Sequence, residues 1–251
     1  MAGLTDELRV TDGFDLAAVD PRSTPGLDGG KTDGKKALAD GTKGLSELQE
    51  RLFAEGRGGG TRSLLLVVQG MDTSGKGDIM RHVVGAVDPQ GVELTSFKAP
   101  TAEELSHDFL WRIRRALPAP GMIGVFDRSH YEDVLIVRVH DLVPETEWAT
   151  RYDTINAFEA ELAETGTAVV KVMLHISRDE QKARLLERLD RPDKHWSTTP
   201  ATSTSAGTGT PTPRPTQKRC GAARRPPRGT SSPPTASGTR AWPCTRSCES
   251  T

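Results

Sequence analysis

An unbroken aliphatic run, residues 64–68 (Leu-Leu-Leu-Val-Val), leads straight into Gln69-Gly70-Met71-Asp72-Thr73-Ser74-Gly75-Lys76-Gly77. A strand with no polar alternation must be covered on both faces, as in a parallel sheet flanked by helices. Gly70 to Lys76 matches the first seven positions of the phosphate-binding loop G-x-x-x-x-G-K. Such a loop turns backbone N–H groups toward a polyanion, aided by the positive end of the next helix, and its lysine adds a point charge. Gly70, Ser74, Gly75 and Gly77 are therefore the expected phosphate cradle. Gly77 stands where most such loops carry the Ser or Thr hydroxyl that ligates Mg²⁺, so a metal needs another holder. Asp72, inside the loop, is the nearest candidate. A chance glycine turn after a buried strand is the competing reading, and the expected helix behind the loop argues against it.

The remaining pattern continues an α/β alternation. Leu38, Leu45, Leu48 and Leu52 recur at helical spacing and predict a helix over 35–55 within an N-terminal appendage, residues 1–60. Its lysines read as a solvated face. After the loop we expect a helix over 79–87 and a strand over 92–97. Thr101 with Glu104 forms a capping box that opens a helix to about residue 117, with Leu105, Phe109 and Ile113 on its buried face. A third strand, 122–126, runs into Asp127-Arg128-Ser129-His130-Tyr131-Glu132-Asp133. A carboxylate at the carboxyl end of a core strand is the second part a P-loop enzyme needs, to hold Mg²⁺ or orient the reacting groups. Asp127 fits that role, and Arg128 could neutralise charge on a transferred phosphoryl group. Capping of the next helix is the plainer alternative for both.

Trp148, Tyr152, Ile155 and Leu162 make a helical stripe that stops at Gly166, and a fourth strand is expected over 168–176. Ser177 and Glu180 form another capping box. The helix they open places Arg184, Arg188 and Arg191 on one face and Leu185, Leu186 and Leu189 inward. A basic helix in this position suits a lid over phosphates.

Composition separates the chain into two parts. The formal net charge is −1, but residues 197–251 hold eight Lys and Arg against Glu249 alone, +7, which by difference leaves −8 for residues 1–196. All three cysteines, Cys220, Cys244 and Cys248, lie in that tail, so the rest of the chain offers no disulfide or thiolate metal site. With no signal-like or membrane-length apolar run, we expect a cytoplasmic enzyme with no membrane partner and no nucleic-acid partner.

Several separate motifs together resemble the polyphosphate kinase 2 family. They are the loop 70–77, Asp88-Pro-Gln-Gly-Val92, Ser96-Phe-Lys-Ala-Pro100, His107-Asp-Phe-Leu-Trp-Arg112, the run 124–133 and Arg191-Pro-Asp-Lys-His-Trp196. The resemblance spans about residues 30–196. It implies an α/β fold, a P-loop kinase-like parallel sheet with flanking helices and a helical lid, in a core of residues 61–196. It also implies Mg²⁺-dependent, reversible phosphoryl transfer between inorganic polyphosphate and AMP/ADP or ADP/ATP, by a protein that assembles as a homo-oligomer in intact relatives. Carried over by position, Lys76 contacts the transferred phosphate, Asp72 and Asp127 hold metal or orient the acceptor, and Arg128 stabilises the transition state. Arg178, Arg184, Arg188 and Arg191 become polyphosphate and lid contacts. An ATP-dependent nucleotide kinase and an inactive phosphate-binding pseudoenzyme are the alternatives.

Past Trp196 the resemblance stops. Residues 197–251 contain no Val, Ile, Leu, Met, Phe or Tyr, and such a segment cannot offset its chain entropy by burial, so disorder is expected. Its Ser, Pro, Thr, Ala, Arg, Gly, Cys and Trp are what codons with G or C in the middle encode, as a shifted frame of a GC-rich gene would produce. Shifting back makes residues 197–205 compatible with Lys-Tyr-Asn-Pro-Gly-Asp-Leu-Asp-Glu, a segment the family would place there. We hypothesise a frameshift; an intact frame on resequencing the codons after Trp196 would sink the idea.

Overall fold

The computed structural model describes residues 2–27, 29–192 and 244–246. Strand β1 (Ser63–Gly70) lies at the centre of a parallel sheet with β2 (Val92–Ser96), β3 (Ile123–Asp127) and β4 (Thr167–His175), in the order β2-β3-β1-β4. Its side chains divide between two apolar layers, which is why its sequence shows no polar alternation. Leu65 and Val67 join Phe97, Ile113, Phe126, Phe158 and Leu162 on one face. Val68, with Leu66 beside it, packs against Val172, Leu174, Ile79 and Met80 on the other. Fully burying each such side chain contributes about 1.5–3 kcal/mol. Phe97 and Phe126 also meet edge to face, centroids 4.9 Å apart.

The helices that supply these layers follow the strands in turn. Helix α1 (Ala2–Glu7) and the long α2 (Lys31–Arg57) precede β1, and α3 (Lys76–His82) follows the loop. Helix α3 begins at Lys76 and gives way to a 3₁₀ turn at Val84–Ala86, instead of spanning 79–87. The leucine stripe of α2 is only partly used: Leu38, Leu45 and Leu48 remain exposed, and the buried anchor is Gln49, whose Oε1 accepts from the Asp88 N–H.

The single helix expected over 101–117 is two, α4 (Ala102–Leu105) and α5 (Trp111–Arg115). The Thr101–Glu104 capping box forms. Ser106 Oγ then donates to Glu103 O at 2.7 Å, and Asp108 Oδ1 accepts from Leu110 N at 2.8 Å, local bonds that compete with helix continuation. The break leaves Leu105 exposed while Ile113 is fully buried.

Helices α6 (Glu132–Val139) and α7 (Glu145–Glu164) lead to β4, and α8 (Arg178–Asp190) follows it. Ser177 caps α8 through the Glu180 N–H. Of the three leucines expected inward on α8, only Leu185 is buried; Leu186 and Leu189 are exposed, because one face of a helix resting on the sheet rim reaches the core. Arg191 has extended backbone and lies outside the helical face of Arg184 and Arg188.

Residues 193–243 and 247–251, where the Arg191–Trp196 motif ends and most of the tail runs, lie outside the described residues. Within the tail, β5 (Cys244–Arg246) pairs in parallel with Met173–His175 at the edge of β4. Backbone pairing along an open strand edge needs no apolar side chain.

Candidate active site

Register positions the site. In the parallel pairing of β1 with β3, Val68 lies opposite Asp127, so the glycine loop leaves the sheet beside the end of β3. Gly70 lies where a Cβ would come 2.5 Å from Ser74 Oγ and 3.0 Å from Leu174 O, so only glycine lets the loop fold back this closely. Gly75 takes φ 100°, and the β-branched Thr73 is held at φ 66°, a conformation with a steric cost. Lys76 Nζ donates to Gly70 O at 2.8 Å and to Met71 O at 3.3 Å, which places the ammonium across the mouth of the loop. Burial and then Arg128 pull its pKa down, opposed by Asp127, Asp72 and Glu132. The Cβ position of Gly77 has nothing within 4 Å.

At the end of β3, Asp127 Oδ2 accepts a long bond, 3.5 Å, from Ser96 Oγ, while its buried Oδ1 has no hydrogen-bond partner. Arg128 follows with φ 65° and donates its backbone N–H to Val68 O at 3.0 Å. That strained turn aims the side chain back over the loop, where Nη2 donates to Asp72 Oδ1 at 2.9 Å. The pair is about half exposed, so it contributes at most ~1 kcal/mol to stability. Its significance is positional: it joins the two halves of the site. Thr73 Oγ1 and Ser74 Oγ are likewise buried without partners. Three residues of the cradle, Thr73, Ser74 and Asp127, thus hold buried polar atoms that a polar ligand could satisfy.

Several site residues escape a reading by motif. Gln69 is buried; with its amide oriented to satisfy its neighbours it donates to Glu132 Oε1 at 3.0 Å and accepts from Ser129 N and Oγ. Burial raises the Glu132 pKa against the opposing pull of Arg128 and Lys76. From α8, Gln181 Nε2 donates to Asp72 O at 3.2 Å and Arg184 Nη1 to Thr73 O at 3.0 Å, with Arg184 also paired to Glu180. Arg184 therefore meets the loop's main chain, while Arg178 and Arg188 form no ion pair among the described residues and Arg191 lies 4.0 Å from Glu187.

Behind the Arg128 turn lies a buried polar network. Lys171 Nζ on β4 donates to Glu159 Oε2 on α7 at 2.6 Å and to Tyr131 Oη at 3.1 Å, and Tyr131 Oη donates to Glu159 Oε1 at 2.7 Å. His130, fully buried, brings Nε2 to 3.4 Å from Glu159, but neither ring nitrogen has an aligned hydrogen-bond partner. Burial pushes the Glu159 carboxyl up; His130, Lys171 and Tyr131 outweigh this and bring its pKa down to about 2. A second cluster ties α5 to α6: Arg112 lies 3.6 Å from Asp133 and donates to Lys98 O at 3.0 Å.

A central strand that delivers a lysine-bearing glycine loop beside a carboxylate and an arginine defines a P-loop α/β protein built to handle phosphate groups. Comparison with known proteins narrows this class. Residues 29–207 match the model of the family described as Polyphosphate kinase 2 (PPK2), and the chain belongs to that family. It is 47% identical over 183 residues to an AMP/ADP-polyphosphate phosphotransferase of Meiothermus ruber, covering 73% of this chain and 67% of that protein. To an ADP-polyphosphate phosphotransferase of Rhodopseudomonas palustris it is 47% identical over 169 residues, covering 62% of this chain and 57% of the relative. The crystal structure of polyphosphate kinase 2 from Arthrobacter aurescens TC1 is similar with a TM-score of 0.77 and 60% identity, over 80% of this chain and 71% of that one. Among the described residues, no helix is long and apolar enough to cross a membrane.

Proposed function

We propose that this chain catalyses reversible phosphoryl transfer between inorganic polyphosphate and a nucleoside mono- or diphosphate, AMP or ADP. The observation that carries the reading is the link between loop and β3: Arg128 reaches Asp72 at 2.9 Å while Asp127 Oδ1, alongside, is buried without a partner. The names of the similar proteins supply the substrate classes.

Transfer needs no protein nucleophile. An oxygen of the acceptor phosphate forms a new bond to the terminal phosphorus of the donor, and the bridging P–O bond on the opposite side breaks, its electron pair leaving with the shortened chain. Positioning and charge neutralisation supply the catalysis. Lys76 exchanges its carbonyl acceptors for phosphate oxygens. Arg128 leaves Asp72 to place its planar fork on the equatorial oxygens, where bidentate donation stabilises spreading charge. Loop backbone N–H groups hold the donor.

Mg²⁺ fits the residues present. It prefers oxygen ligands and commonly takes one or two carboxylates plus substrate phosphates; the unpartnered Asp127 Oδ1 and the half-exposed Asp72 are such donors. No group of three or more His, Cys, Asp or Glu poised for a metal occurs among the described residues, in keeping with a site completed by substrate. Asp127 and Asp72 would hold the ion, which when bound offsets phosphate charge. The test is ATP formation from ADP, long-chain polyphosphate and Mg²⁺, in the chain as written and with its frame restored after Trp196. ATP formation supports the reading; absence of transfer from polyphosphate in both forms, with AMP and ADP alike, refutes it.

A further inference from the structure

We infer that Gln181 and Arg184 are positioning residues that orient the loop's phosphate-facing amide from behind, coupling α8 to the cradle. The inference rests on the phosphate-binding reading above and deepens it.

The argument begins with the peptide plane between Asp72 and Thr73. No peptide bond among the described residues is cis, and in a trans amide the C=O and N–H point in opposite directions. The Asp72 carbonyl is held on the α8 side by Gln181 Nε2 at 3.2 Å. The Thr73 N–H must then point away from α8. It has no acceptor among the described residues, and it lies on the loop that also presents the unpartnered Ser74 Oγ. An N–H fixed in this direction is a ready donor to an anion.

The next plane is fixed in the same way. Arg184 Nη1 donates to Thr73 O at 3.0 Å, and the N–H on the other side of that amide, Ser74 N, donates within the loop to Met71 O at 3.2 Å. The two bonds from α8 hold the peptide planes on either side of Thr73, the residue that carries the left-handed strain at φ 66°. Without them, a β-branched residue would relax toward negative φ and rotate the amide away. Glu180 pairs with Arg184 across one turn of α8 and restrains its guanidinium. Gln181 and Arg184 are three apart on the helix and so share a face. That face addresses the loop's back, which distinguishes Arg184 from a residue that grips polyphosphate directly.

The experiment compares Gln181→Glu, which keeps the shape and removes the donor at neutral pH, with Gln181→Lys, which restores one, in the full chain. Hydrogen–deuterium exchange over residues 71–75 without substrate, kcat and KM for polyphosphate, and Tm are measured together. We expect Gln181→Glu to speed exchange in that segment and to raise KM about tenfold, the scale of one lost hydrogen bond to a preorganised loop. kcat should change less, Tm should hold, and Gln181→Lys should recover most of the KM. Arg184→Met should repeat the exchange effect. Unchanged exchange and KM in Gln181→Glu, equal damage in Gln181→Lys, or a loss that follows Tm would each overturn the inference. If wild type transfers no phosphate, the activity reading fails on its own account, while exchange in the substrate-free protein still decides whether the strut holds the loop.

Discussion

Replacing Glu159 by Gln should destabilise the fold by about 3–5 kcal/mol at neutral pH, the cost of leaving one member of a buried pair uncompensated. The side chains of Glu159 and Lys171 are only 5% and 6% exposed, with 2.6 Å between Nζ and Oε2. Water cannot replace the lost carboxylate, and Lys171 is left with the Tyr131 hydroxyl among its former partners. An independent scale comes from the carboxyl itself, whose pKa falls from an ordinary 4.5 to about 2. That drop corresponds to about 3 kcal/mol. Because the folded value lies below the unfolded one, this contribution is complete above about pH 4.5 and disappears as pH falls toward 2. Gln cannot titrate, so the gap between wild type and Glu159→Gln should close across that window. Urea unfolding at steps from pH 7 to about pH 2 measures it, and at neutral pH the loss should appear as roughly 10 °C in Tm. Removing both charges together, Glu159→Leu with Lys171→Met, should recover much of the stability. A loss below ~1 kcal/mol at pH 7, or a gap that does not narrow with acid, would refute the assignment of a stabilising buried pair.

Three further outcomes follow from the site. Arg128→Lys keeps a charge but loses the planar fork that reaches Asp72, so kcat should fall about tenfold or more with little change in Tm, as measured by initial rates of ATP formation. Gly70→Ala forces a methyl group to 2.5 Å from Ser74 Oγ and 3.0 Å from Leu174 O; tripolyphosphate binding by calorimetry should weaken, with about 1–3 kcal/mol lost from stability. Glu132 has its pKa raised by burial. Its contribution to stability is therefore full below the ordinary pKa and is lost as pH rises through the raised one, so permanently neutral Glu132→Gln should gain on wild type above that point in urea unfolding from pH 4 to 8.

What the sequence made legible was whatever a local pattern encodes. The aliphatic run and the Gly-Lys spacing locate β1 and its loop; the run 122–126 falls within one residue of β3 (Ile123–Asp127), and the stripe from Trp148 to Leu162 lies on α7. The position of Asp127 and Arg128 at the carboxyl end of a core strand is legible because the apolar run stops at Asp127. The broken helix was not, since the bonds of Ser106 and Asp108 that interrupt it leave helical periodicity intact. Glu159 and Lys171 each interrupt an apolar pattern, yet their pairing depends on how α7 lies across β4. Likewise, the shared face of Gln181 and Arg184 follows from spacing, but its direction toward the Asp72 and Thr73 carbonyls depends on how α8 sits at the rim of the sheet.

The open surroundings of Gly77 bear on how this loop could be re-engineered. Since a Cβ there would meet nothing within 4 Å, steric exclusion does not explain the missing hydroxyl, and Gly77→Ser is a substitution the backbone geometry admits. A loop of the more usual composition is thus one codon away, with Asp72 and Asp127 retained beside it, so the Gly77→Ser variant would set the proposed carboxylate coordination against a hydroxyl on one scaffold.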